Sequence, residues 1–464
     1  MNESAPKERE VNATPEPFDR EWYQELKGIS GESDMYSLLD PIDKGEYRKQ
    51  ERKRFESNEI ENPVLDYPKL KQEELQERDD KLAALKENIV GKDFSGDERM
   101  EIVQQVWRWK INEKLAGVRM LKAAEAGDMH RFQRYSEFIY GAPSMDIFLY
   151  SINVLREKIE QYKTSENLAL QKAAQNLDSI LPSGLPVPGV RQLPDENTFQ
   201  FAKEYTMNEL GGLIDLPQGQ DEFTTQEIQT AFEAAITRAH LDGWKTVIDP
   251  NRPDMMVSGS KKIVSIPDGR TSTRKRLEEL ILHEIGTHAV RRKNGEQSKL
   301  LLLGDGLDRY MDDEGVTGLR EQIIGDQIED FTHLDRHLAI SLAKGLDGEK
   351  RDFRGVYEIM KRYYVVEELS RGSSQGVAEQ HAKDRAWARA VRTFRGTDCK
   401  TKGACFTKDI VYREGNADIW EVVRDNPQEM MRFNVGKYDP ANPRHIMILD
   451  QLGITDADLA ALER

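Results

Sequence analysis

HEIGTH, residues 283–288, puts His283, Glu284 and His288 into one stretch that reads as helix. The zinc-peptidase pattern H-E-x-x-H sets two histidines four residues apart on one helical face, with a glutamate beside them as general base. Here the histidines are five apart. A helix advances about 100° per residue, so a spacing of four leaves two side chains about 40° apart and a spacing of five about 140°. An ideal helix therefore points His283 and His288 away from one another. A one-residue widening, a π-bulge, absorbs the extra residue and returns both imidazoles to one side, and such bulges recur at functional sites. Gly286, in mid-motif, lowers the steric cost of that distortion. The competing reading is two partly exposed histidines on an ordinary helix. Against it, the chain has only eight histidines, and two of them flank a glutamate just after the apolar run LILHEIG.

The flanking sequence supplies a frame for the motif. Two strand-like runs precede it, WKTVI from 244 and KKIVSI from 261, separated by NRPDMMVSG, whose Pro and Gly suit a turn between paired strands. KKIVSI reads either as an edge strand able to pair with an extended substrate or as an internal strand. The segment RKRLEELILHEIGTHAVRRKNG has a helical pattern and an expected stop at Asn294 and Gly295. Its basic runs at 274–276 and 291–293 read as a local basic patch or as solvated helix faces. Downstream, DDEG at 312–315 opens another helical segment. A catalytic zinc site takes three protein ligands, and two His plus one Glu is a known set. Glu314 is then the candidate third ligand, with Asp305, Asp308, Asp312 and Asp313 as competitors that spacing does not separate. Beyond it the pattern is mostly helical to about 395, and TKDIVYREG reads as a short extended element and turn.

The rest of the chain divides by composition. Residues 1–20 are polar and proline-bearing, expected as a disordered tail. Residues 21–180 carry leucines and other apolar residues at helical spacing among many charges, the pattern of a helical region. LPSGLPVPGVRQLP, within a linker at 181–195, holds four prolines and two glycines, which no helix interior tolerates. Residues 196–464 then form the expected metallopeptidase domain, opened by helices of which one carries Thr224 and Glu227 at capping-box spacing. The fold class is α+β, predominantly helical: a zincin-like core with a small sheet and a helical N-terminal region. With 67 basic and 83 acidic residues the formal charge is −16. That balance argues against a general grip on nucleic acid or an anionic membrane. No apolar run reaches the roughly 18–20 residues that span a bilayer, and only Cys399 and Cys405 are present. A cytoplasmic location is expected.

HEIGTH, the following NGEQSKLLLLGDGLDRYMDDEGVTGL, then VRTFRGTDCKTKGACFTKDIVYREG and finally VGKYDPAN together resemble the microtubule-associated tyrosine carboxypeptidase family and its prokaryotic relatives. The family has H-E-x-x-x-H, a following N-G, an E-G pair, an R-x-x-R-G segment and a T-K-D-x-x-Y segment, and the resemblance runs in order over roughly residues 240–440. It implies one zinc ion held by His283, His288 and Glu314, with Glu284 as general base. It further implies removal of a C-terminal residue, tyrosine-like or other, from a peptide or protein tail. The cations that could receive the substrate carboxylate lie in the shared segments: Arg392, Arg395 and Lys408, with Tyr412 as a donor to the oxyanion. Where the family often reads E-G-L, this chain has Glu314, Gly315, Val316. Rival readings are a zinc endopeptidase of the same fold and a helical binding scaffold with an inactive metal site.

Overall fold

A computed structural model of the chain describes residues 16–30, 38–42, 46–186, 192–250, 255–307, 311–326 and 328–455, with the side chains of 30 and 311–313 outside the description. Most of the expected tail, residues 1–15, therefore lies outside the described residues. Its last part is not a tail: Phe18 N–H donates to Lys299 O at 2.8 Å, and Asp19, 2% exposed, accepts from the N–H groups of Leu301 and Leu302 and from the Trp107 indole. The carboxylate caps the start of a short 3₁₀ turn, Leu301–Gly304.

The N-terminal part is helical for local reasons first. Helices Glu98–Glu125, Met129–Tyr140, Met145–Lys163 and Leu168–Asp178 each begin at a residue whose side chain accepts a first-turn N–H: Asp97, Asp128, Ser144 and Asn167. The apolar stripes between those caps are buried. Val103, Val106, Trp107, Ile111 and Val118 share a core with residues far downstream, including Leu302, Leu338, Phe353, Phe394 and Ile410. Phe55 shows the fit: it lies edge-on to Phe353 (5.2 Å) and Tyr357 (4.9 Å) and tilted against Trp387 (5.5 Å). Full burial of such a side chain is worth roughly 1.5–3 kcal/mol.

The sheet is small. β1 (Glu222–Phe223) pairs antiparallel with β5 (Ser272–Thr273), while β2 (Lys245–Asp249), β3 (Met256–Ser258) and β4 (Ile263–Pro267) form a separate sheet of order β2–β4–β3. β2 and β4 do pair, but in parallel, and the presumed turn between them holds β3, which lies antiparallel to β4. KKIVSI is therefore the central strand, and the edges are β2 and β3. Below the sheet a second core joins Val264 and Ile266 of β4 to Ile228, Phe232, Ile281, Leu282, Ile285 and Ala289. The helix Thr225–Arg238 begins with the expected capping box between Thr224 and Glu227.

Two local expectations are corrected. The helix that follows the histidine motif runs on to Gln297, through Asn294 and Gly295. Gly295 serves a crossing instead of a stop: a Cβ there would stand 2.3 Å from Leu303 C and Gly304 N. TKDIVYREG is not extended either; after a 3₁₀ turn at Thr407–Asp409 it is the start of the helix Ile410–Asp425. Its β-branched residues suggest a strand, yet Ile419, Trp420 and Val423 pack with Val316, Leu319 and Ile323 of the helix Met311–Gly325. Tertiary burial overrides the local propensity.

Candidate metal centre

The motif helix widens where the spacing demands it. Residues Ile281–Ala289 form a π-helical segment set between α-helical Arg274–Leu280 and Val290–Gln297. The His283 and His288 rings consequently meet edge to face with centroids 5.0 Å apart, and ligand atoms of His283, Glu284 and His288 lie within 4.8 Å of one another. The wide turn is braced from outside. Arg320, 2% exposed, donates to Gly286 O at 2.7 Å, to Thr287 Oγ1 at 2.9 Å and to Asn434 Oδ1 at 2.9 Å. Thr287 Oγ1 in turn donates to Leu282 O. Gly286 faces Leu210 and Leu213, whose methyls would stand 3.3 and 3.6 Å from an added Cβ.

His283 is oriented by a carboxylate that the sequence reading did not single out. Its Nδ1 lies 3.0 Å from Glu321 Oε1, which also accepts from Arg276 Nη1 at 3.2 Å. In the neutral ring a nitrogen bonded this way is the protonated one, so that Nε2, 3.9 Å from Glu284 Oε1, is the atom available to a metal. Burial by itself lowers the His283 pKa, but the charges of Glu284, Glu321 and Glu314 outweigh it and push the imidazole up to about 9. Burial likewise opposes the charge on Glu321, yet the His283 bond and the cations around it hold that carboxyl at about 2. Two imidazoles among three carboxylates form a donor set that fits a divalent cation.

Glu314 is buried, at 5% exposure, and its charge acts on His283, Lys408 and Tyr412. It stands outside the 4.8 Å group formed by the motif residues. The glycine after it has a clear physical role: a Cβ on Gly315 would lie 2.5 Å from Gly415 O and 2.8 Å from Ile419 Cγ1. The two helices touch backbone to backbone at this point. Of the competing carboxylates, Asp305 is taken by a bond from Arg292. Asp308 and the side chains of Asp312 and Asp313 lie outside the described residues.

The expected substrate cations have different surroundings from one another. Arg392 forms a two-pronged bond to Asp409, Nε–Oδ2 2.7 Å and Nη2–Oδ1 3.0 Å. Arg395 donates to Asp40 at 2.6 Å and lies over the Phe406 ring. Both guanidiniums thus hold structural carboxylates. Lys408 is buried, with Nζ 5.5 Å from the centre of the Tyr412 ring, and burial brings its ammonium down to about 8 against the opposing charges of Asp409 and Glu314. Tyr412 also meets the His333 ring at 5.1 Å and the Arg336 guanidinium at 4.1 Å. Burial and the charge of Glu314 keep its hydroxyl protonated well above the ordinary range. His333 holds φ 58°, an uncommon left-handed geometry, at the head of the helix Leu334–Lys344, and burial pushes its pKa down to about 3. The cluster HLDRH at 333–337 is a signal that would have drawn attention to this corner.

The two basic runs differ: Arg291 and Arg292 are buried structure, whereas Lys275 and Arg276 lie on an exposed helix face. Arg291, fully buried, donates to Gly436 O and Tyr438 O of the VGKYDPAN segment, and Arg292 bonds Glu296 and Asp305. Arg274 bonds the carbonyls of Pro217 and Gln220.

No described helix is long and apolar enough to cross a membrane. A search of curated proteins finds no match to the chain. The sequence pattern of the family described as microtubule-associated tyrosine carboxypeptidase matches residues 195–457, more than half of the chain and all of the elements that build this site. The chain belongs to the microtubule-associated tyrosine carboxypeptidase family.

Proposed function

We propose that the protein is a zinc-dependent carboxypeptidase that removes a C-terminal residue from a peptide or protein tail, with His283, His288 and Glu314 holding the metal. The observation that carries this reading is the π-helical turn at 281–289, which brings His283, Glu284 and His288 together despite their five-residue spacing. The family's own description, a tyrosine carboxypeptidase, supports the exopeptidase class. Bound zinc would supply a Lewis acid that polarises the scissile carbonyl and acidifies a water molecule. Glu284, 7% exposed and next to His283, takes the proton from the attacking water and passes it to the leaving amine as the C–N bond breaks. The Tyr412 hydroxyl, kept protonated by its surroundings, donates to the oxygen that gains charge as water adds. Glu321 holds His283 in the tautomer and orientation that this arrangement needs.

The test is incubation of the zinc-loaded chain with peptides varied at the last two positions, products being read by mass spectrometry. Wild type releases one C-terminal residue at a time, and Glu284→Gln binds zinc but releases none. Internal cleavage refutes the exopeptidase class; failure of the folded wild type to bind about one equivalent of zinc refutes the metallopeptidase reading.

A further inference from the structure

We infer that Arg336 is the seat of the substrate's terminal carboxylate, an inference that rests on the carboxypeptidase reading above. The guanidinium lies 4.1 Å above the Tyr412 ring, on the ring that also touches His333 and Lys408. Tyr412 belongs to the same helix as Gly415, which touches Gly315 beside Glu314. Arg336 thus lies over a ring on which the charge of Glu314 acts, and it is partly exposed.

Among the described residues no carboxylate forms an ion pair or hydrogen bond with its guanidinium, although the charges of Asp335 and Asp409 act on it. Its Nε is buried without a hydrogen-bond partner. The carboxylates that act on this corner are committed elsewhere: Asp335 to Arg389 and Tyr364, and Asp409 to Arg392. Arg389 Nη1 and Arg395 Nε also lack hydrogen bonds, but other nitrogens of those guanidiniums reach Asp335 and Asp40. A buried Nε–H without an acceptor is costly, and an incoming carboxylate offers the guanidinium the flat two-oxygen acceptor that suits it best. The backbone aims the side chain: His333 takes its left-handed turn and accepts the Arg336 N–H at 3.1 Å, which starts the helix at this point. The ligand class is a peptide with a free α-carboxylate.

The experiment uses one fluorescein-labelled hexapeptide ending in tyrosine, made as the free acid and as the C-terminal amide. Hydrolysis by the full-length wild type is compared with Arg336→Gln, Arg336→Met and Arg336→Lys, and binding is read by anisotropy on a Glu284→Gln background. Wild type prefers the acid; the Gln and Met variants lose about 30-fold or more on the acid and change little on the amide. Lys restores part of the preference, and added guanidinium ion partly rescues Met. Retention of the wild-type acid-to-amide ratio by both neutral variants overturns the assignment while leaving the carboxypeptidase reading standing. A wild type that cuts only internal bonds takes down both.

Discussion

Nδ1 of His283 and Oε1 of Glu321 are 3.0 Å apart, and they come from helices 38 positions apart in the chain. Glu321 sits about two turns beyond Glu314 on one face of the helix Met311–Gly325, so a single helix face delivers both carboxylates to the motif helix. Removing an outer partner of a metal-bound histidine weakens metal binding by about 10–100-fold. Glu321→Ala is expected to do so, measured by competition with a chromophoric chelator, with the far-ultraviolet circular dichroism unchanged. Unaltered zinc affinity would remove Glu321 from the site.

Gly315 and Gly286 predict opposite outcomes for the same substitution. An alanine methyl at 315 would stand 2.5 Å from a backbone oxygen, which a packed helix pair cannot move cheaply. Gly315→Ala should cost about 1–3 kcal/mol in urea unfolding and lower zinc content by displacing Glu314. At 286 the nearest atoms are side-chain methyls of Leu210 and Leu213 at 3.3 and 3.6 Å, and these can give way. Gly286→Ala should stay within about 1 kcal/mol of wild type. Equal losses at the two positions would contradict the backbone-contact argument.

What could be read from the sequence was what depends on neighbouring residues. The capping box at Thr224 and Glu227 is a matter of three positions, and the wide turn at 283–288 follows from an angle per residue. Gly295 shows the limit of local signals: Asn-Gly is a local stop signal, whereas the role of Gly295 is contact with the Leu303 backbone. The run Ile410, Val411, Tyr412 looks extended by propensity and is helical because Ile419 and Trp420, a few turns on, need the core of the helix Met311–Gly325. Arg336, His333 and Glu321 are not legible as site residues in the sequence because their surroundings are assembled from distant segments. Conversely, the charge of Arg392 and Arg395 was visible but Asp409 and Asp40, which engage it, were not visible as partners.

Asp19 gives a pH dependence with a definite sign. Burial raises its carboxyl from 3.8 to about 6 in the folded chain, against the pull of the bonds from Leu301, Leu302 and Trp107. Between those two values the folded state binds more protons than the unfolded one, so this group's contribution to stability grows as pH falls from about 6 towards 4 and is lost as pH rises through 6. Asp19→Asn abolishes that term. The difference in unfolding free energy between wild type and variant should therefore shift by up to about 3 kcal/mol in favour of wild type across that window and be flat above pH 7. Urea titrations at four or five pH values measure it; a difference that is constant from pH 4 to 7 would refute the raised value.

Deleting Gly286 turns HEIGTH into HEITH, which has the ordinary four-residue spacing and on paper a better metal motif. The prediction is loss of the site. Without the extra residue the wide turn closes to a regular α-turn, the helix beyond it keeps its place, and what is lost is the widened turn that the surrounding side chains brace. Arg320 would lose Gly286 O and its hold on Thr287, a buried cation stripped of two acceptors. Stranding that charge alone costs about 3–5 kcal/mol. The deletion variant should melt well below wild type and retain no stoichiometric zinc after dialysis. A stable, zinc-loaded deletion variant would mean that the π-helical turn is dispensable and that the histidines can meet on a regular helix.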